Sequence, residues 1–253
     1  MEHLDEARGD AVPPLSTAES GERERLSENS LAGIRLIEGL RPADLAAVER
    51  ACRFKRYDPQ EQIFDRGSRS SDVFFLVEGK VRIVNYSLSG REITFDELAP
   101  GACFGEIAAL DGRPRSTSVM AVELSLVAAL PRSVFLDVLA HHPAIALKVM
   151  LRLAQIIRDA DDRIMDLSTL AAQNRVQAEI LRQARGDLTD RDTARIHPIP
   201  LHADIASRVS TTRETVARTM NDLARKGIVK RTKDSLVVRS LSRLASLVEE
   251  VRG

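Results

Sequence analysis

The stretch Phe104-Gly105-Glu106-Ile107-Ala108-Ala109-Leu110-Asp111-Gly112-Arg113-Pro114-Arg115-Ser116-Thr117-Ser118-Val119 carries the densest chemistry in this 253-residue sequence. Gly105 has no Cβ, so the backbone there can come close to a ligand. Residues Glu106 to Leu110 read as a short helix whose first amides, near Ile107 and Ala108, are free to face an anion. Arg115 offers charge-assisted donors to the same anion, and Ser116 adds a hydroxyl. The Glu106 carboxylate can accept from a hydroxyl such as a ribose 2′-OH. The plain alternative is an ordinary turn and helix with a surface Arg–Glu pair.

Around this stretch, from about Phe54 to Leu130, the texture is β. Short apolar runs (Val73–Val77, Val81–Val84, Glu92–Phe95, then Val119 to Leu130) are separated by Gly67, Gly79, Gly90, Gly101 and Gly112. Many short strands at close spacing predict a barrel or roll. A helical stretch, Leu31 to about Cys52, precedes them, and Pro42 suits a helix start.

Beyond Pro131 the period becomes helical. Met150, Leu153, Ile157, Ala160, Ile164, Leu167 and Ala171 are spaced 3,4,3,4,3,4. That heptad seam predicts a parallel homodimer contact, against the alternative of a helix packed on its own domain. After Pro198 the pattern compacts. A first helix is expected over Ala203–Val209, with Leu201, Ile205, Ala206 and Val209 inward, and Ser210-Thr211 as the turn. Thr212 is suited to cap a second helix reaching about Lys226, with Val216, Met220 and Leu223 as its buried stripe. Arg213, Glu214 and Arg218 fall off that stripe near the N-terminal end, where a recognition helix meets base edges. Arginine suits guanine O6/N7 and glutamate suits cytosine N4. Gly227 stops the helix, and Ile228–Arg231 with Leu236–Val238 read as a two-stranded wing. Lys230 on that wing is placed to hold a phosphate. A last helix is expected from Leu241 to about Val251.

The formal charge of zero hides an asymmetry. Residues 1–28 carry eight acids and three bases, whereas residues 201–239 carry nine Lys/Arg and four Asp/Glu. The basic end suits a polyanion. Residues 1–27 read as an acidic, disordered tail. Cys52 and Cys103 form no metal-binding spacing and read as buried small hydrophobes, so no metal site is expected. No signal peptide and no membrane-length apolar run is visible, which suggests a cytoplasmic protein with no membrane partner. No nucleophile–base constellation points to an enzyme.

The Gly105–Ser116 stretch resembles the phosphate-binding cassette of cyclic-nucleotide-binding domains. The whole order resembles the CRP/FNR family of bacterial transcription regulators, and the segment Arg213-Glu214-Thr215-Val216-x-Arg218 is its second specific part. The resemblance implies an α+β chain with four regions: tail 1–27, cyclic-nucleotide-binding β-roll 28–145, dimerisation helix 146–176, and winged helix-turn-helix 177–253. It implies that Gly105, Glu106, Ile107, Ala108, Arg115 and Ser116 bind the effector, with Glu106 on the ribose and Arg115 and Ser116 on the cyclic phosphate. It implies that Thr212, Arg213, Glu214, Arg218 and Lys230 meet double-stranded DNA at palindromic TGTGA-like half-sites, with RNA polymerase as partner. Cysteines for an iron–sulfur cluster and an assignable haem ligand are missing. One departure concerns the dimer helix, where neighbouring Thr and Ser contact adenine in the cAMP-binding activators. Alignment through Arg175 puts Ala160 and Asp161 there. Asp161 is expected to face the ligand, where two acceptor oxygens match guanine N1–H and N2–H₂, a lean toward cGMP over cAMP. The alternatives are a regulator of this family with another effector or none, and a nucleotide-binding regulatory subunit without a DNA role.

Overall fold

The computed structural model describes residues 30–252 apart from Ser89, Arg91 and Asp187, so the acidic tail lies outside the described residues. After turns at residues 32–39, helix α1 (Pro42–Ala51) starts on Pro42, which has no amide to leave unpaired. Eight strands follow: β1 (Arg53–Tyr57), β2 (Gln62–Phe64), β3 (Val73–Glu78), β4 (Val81–Tyr86), β5 (Glu92–Leu98), β6 (Cys103–Phe104), β7 (Ser118–Ala121) and β8 (Ser125–Leu130). Helix α2 (Glu106–Asp111) interrupts them between β6 and β7. The strands form two antiparallel four-stranded sheets, ordered β1-β8-β3-β6 and β2-β7-β4-β5.

Strand β3 shows why the apolar runs lack a two-residue period. Phe74 and Leu76 enter the core between the sheets, with Phe64, Val81, Leu98, Phe104 and Val119. Val73 and Phe75 point the other way, under Leu31, Ile34, Val48, Phe135 and Ile145. A strand covered on both faces is apolar throughout.

Helix α3 (Arg132–His141) turns through 112° into the long helix α4 (Pro143–Thr169). The single helix expected over 146–176 is in fact two. Leu170 is extended (φ −97°, ψ 137°), and α5 (Ala172–Gly186) begins beyond it. Arg175 braces this break: Nη1 donates to the Leu170 carbonyl (2.8 Å), Nε to Val209 O (2.9 Å) and Nη2 to Ser210 O (3.2 Å). Ala171, the last seam position, therefore falls outside the long helix. The seam residues Met150, Ile157, Ile164 and Leu167 stand 57, 61, 60 and 50% exposed in the single chain. Among the described residues no single helix is long and apolar enough to cross a membrane.

The second core joins α5 to β9 (Ala194–Ile196), α6 (His202–Arg208), α7 (Arg213–Arg225), β10 (Val229–Arg231), β11 (Leu236–Val238) and α8 (Leu241–Arg252). Ile180, Ile205, Val216, Leu223, Ile228 and Leu244 are its fully buried centre. The wing has three strands, not two, because β9 pairs with β11. Leu201 does not face inward as expected. It is the extended residue before α6 and is 66% exposed, so the helical phase does not apply to it.

Candidate functional site

A cavity of about 500 Å³ opens beside the Gly105–Ser116 stretch. Its wall takes Phe64, Ile83 and Phe95 from the strands, Gly105 just before α2, Glu106, Ile107 and Ala108 from α2, and Arg115 and Ser116 from the loop before β7. Helix α4 closes it with Arg152, Ile156, Ala160, Arg163 and Ile164, and Arg182 and Arg208 reach in from α5 and α6. The size suits a small organic ligand.

Gly105 caps α2 in the left-handed region (φ 81°). A Cβ there would stand 2.7 Å from Arg115 Nη1 and 3.2 Å from Phe74 Cδ2, so only glycine fits. Arg115 is 3% exposed and lies 4.3 Å over Phe64 and 5.3 Å over Phe74. Its Nη1 donates to Gly105 O (2.7 Å), Nη2 to Asp72 O (2.6 Å) and Nε to Ser70 Oγ (3.0 Å). Three of its five N–H donors are thus used in shaping the cassette, leaving two for a ligand. Burial lowers its pKa from the ordinary arginine value, against the pull of Asp72 and Glu106. Arginine stays charged under these conditions.

Glu106 is 4% exposed and accepts from Arg152 Nε at 2.7 Å. Burial works against the Arg152 charge, and Glu106 outweighs it, so that guanidinium is held above its usual range. The sequence reading missed Arg152, Arg163, Arg182 and Arg208. Arg152 lies 46 residues from Glu106, and no local pattern marks so distant a pairing. Burial raises the Cys52 thiol to about 12 and the Cys103 thiol well above its ordinary value.

Asp161 does not line the cavity of its own chain and is exposed. Positions 152, 156, 160 and 163 share the cavity face of α4. At 100° per residue, Asp161 turns away from that face, past the seam. Asp159 and Asp162 line the cavity instead.

On the other domain, Thr212 Oγ1 accepts from the Thr215 amide (3.2 Å) and caps α7. Arg213, Glu214 and Arg218 are exposed on one side of that helix, and Lys230 is exposed on β10. The Glu214 carboxyl lies below the ordinary range, first through its own backbone amide, then through the Thr212 hydroxyl. Ser210 takes a left-handed turn (φ 52°) between the helices.

The cavity opens on the β-sheet domain, and the exposed helix α7 lies in the C-terminal domain. Residues 54–142 match the cyclic nucleotide-binding domain, and residues 174–247 match the Crp-like helix-turn-helix domain. The chain is 32% identical over 221 residues to the cyclic AMP receptor protein of Thermus thermophilus, covering 87% of this chain and 98% of that one. It is 24% identical over 216 residues to a CRP-like cAMP-activated global transcriptional regulator of Mycobacterium tuberculosis, covering 85% and 96%. The solved structure of a CooA mutant from Carboxydothermus hydrogenoformans superposes with a TM-score of 0.73 at 19% identity, covering 87% of this chain and 95% of that one, a likeness of fold. The chain belongs to the CRP/FNR family: it is a cyclic-nucleotide-binding transcription regulator and not an enzyme. The helix-turn-helix overturns the alternative of a regulatory subunit without a DNA role.

Proposed function

We propose that this chain works as a homodimer in which a cyclic purine nucleotide, held by Glu106, Arg115 and Ser116, favours the arrangement that binds palindromic DNA. The observation that carries the reading is the pair of buried charged groups, Glu106 and Arg115, on the wall of a cavity closed by the helix that also carries the seam. The exposed seam positions support pairing of two copies through α4. Pairing would set the two α7 helices to read half-sites of TGTGA type through Arg213, Glu214 and Arg218, with RNA polymerase as downstream partner.

The names of the Thermus and Mycobacterium relatives favour cAMP as effector. A cGMP preference needs Asp161 to act across the dimer. With Met150 at heptad position a, Ile156 is g and Asp161 is e. In a parallel pair a g residue faces the e residue of the other helix's next heptad. Asp161 of a second copy would thus stand opposite Ile156, which lines the cavity.

The test is DNA affinity by fluorescence anisotropy with and without cAMP or cGMP. One of them should tighten binding by about tenfold or more, the usual range of allosteric coupling. A DNA affinity that neither nucleotide changes would remove the effector from this reading.

A further inference from the structure

A chain of ion pairs crosses from the DNA-reading domain to the β-roll and back. Asp204 of α6 meets Arg82 Nη2 of β4 (2.9 Å), and the same nitrogen meets Glu97 of β5 (2.6 Å). Glu97 also meets Arg208 Nη2 of α6 (3.0 Å). Arg208 Nη1 lies 3.8 Å from Glu179 of α5, which pairs with Arg182, and Arg182 meets Asp166 of α4 (3.3 Å). Beside this chain the Thr94 and Ser207 hydroxyls are 2.8 Å apart, and Thr94 is fully buried. Arg82 and Arg208 are each 16% exposed, so these are not loose surface pairs.

We propose that this cluster is a latch holding the DNA-reading domain on β5 in its DNA-competent arrangement, with Arg208 linking the latch to the nucleotide cavity. Two observations set the direction. First, Arg213, Glu214 and Arg218 stay exposed while α6 is docked on β5, so docking does not cover the recognition face. Second, Arg182 and Arg208, from beyond the break at Leu170, line the same cavity as Glu106 and Arg115. A ligand that touches both domains binds the docked arrangement more tightly than an undocked one, so it shifts the population toward docking. DNA and ligand then select the same state. Arg208 is a positioning residue here: it acts on DNA binding through domain placement. The ligand part of this proposal rests on the cyclic-nucleotide reading; the latch does not.

The hydroxyls of Thr94 and Ser207 are close enough that Thr94→Cys with Ser207→Cys should form a disulfide under mild oxidation. The locked protein should bind DNA selected by the wild type, with no nucleotide added, within about threefold of the nucleotide-saturated wild type. Reduction should reverse this. Weaker DNA binding by the locked form would show the contact to be inhibitory and overturn the proposal, as would failure of the cysteines to cross-link. Separately, Arg208→Glu should cut the gain in DNA affinity on adding cAMP or cGMP by about tenfold, and Glu97→Arg in the same chain should restore part of it. An unchanged gain in Arg208→Glu would remove the link to the cavity. If the locked form binds DNA as expected but neither nucleotide affects the wild type, the latch stands and the nucleotide reading falls.

Discussion

Placing Asp at both Ile157 and Ile164 should split the dimer while leaving each chain folded. Those side chains are 61% and 60% exposed in the single chain. Covering the exposed part of one such side chain contributes about 1–1.5 kcal/mol, so four isoleucines in two copies contribute about 4–6 kcal/mol. Met150 and Leu167, 57% and 50% exposed, contribute on a similar scale. Association itself costs about 4–15 kcal/mol, so the surplus that holds the dimer is not large. Each carboxylate brought into the seam adds a desolvation penalty of several kcal/mol. The sum exceeds the roughly 8 kcal/mol that corresponds to micromolar dissociation. Sedimentation velocity at micromolar chain concentration should therefore show a dimer for the wild type and a monomer for the variant. Circular dichroism should be unchanged, because neither side chain is buried in its own chain. A variant that stays dimeric, or a wild type that is monomeric with nucleotide present, would refute the reasoning.

Three further outcomes follow from the same geometry. Gly105→Ala forces a Cβ to within 2.7 Å of an Arg115 nitrogen that Gly105 O already holds, at a positive φ; it should cost about 2–4 kcal/mol in urea unfolding and weaken nucleotide binding, and unchanged stability would show that the cassette can yield. Arg218→Ala should cost about 1–3 kcal/mol on the preferred site and relax one base position, whereas Lys230→Ala should weaken all sequences alike and flatten the salt dependence; equal losses on selected and random DNA for Arg218→Ala would end its base-reading role. Asp161→Ser should shrink any cGMP advantage over cAMP in calorimetry of the dimer, and an unchanged ratio would leave Asp161 a solvated side chain.

The outline of the cassette and of the helix-turn-helix was legible because its markers lie close together in sequence, whereas the partners of Arg115 and Glu106 do not. Gly105, a helix that starts on Glu106, and Thr212 capping α7 all show within a few positions. The break at Leu170 was not legible. Leu170 and Ala171 continue an apolar pattern, no Gly or Pro marks the stop, and the bonds that hold the break come from Arg175 and from carbonyls across the fold. Strand β9 was missed because three residues are too few to establish a period; only pairing with β11 makes them a strand. Asp161 was assigned by alignment through Arg175, which lies beyond the break at Leu170, and the helical turn puts Asp161 on the flank away from its own cavity. The arginines that close the cavity come from α4, α5 and α6, so their role exists only once the chain is folded.

Calorimetric titration of the full chain tests most directly whether Glu106 and Arg115 hold a cyclic nucleotide. Arg115→Lys keeps the positive charge and loses the planar fork that bonds Gly105 O, Asp72 O and Ser70 Oγ. Urea unfolding of the same variant separates lost binding from lost structure. Wild type should bind cAMP or cGMP saturably at one site per chain, and folded Arg115→Lys should bind at least about tenfold more weakly, the effect of one lost charge-assisted contact. No heat with either nucleotide on the wild type, or undiminished binding by the folded variant, would contradict the account.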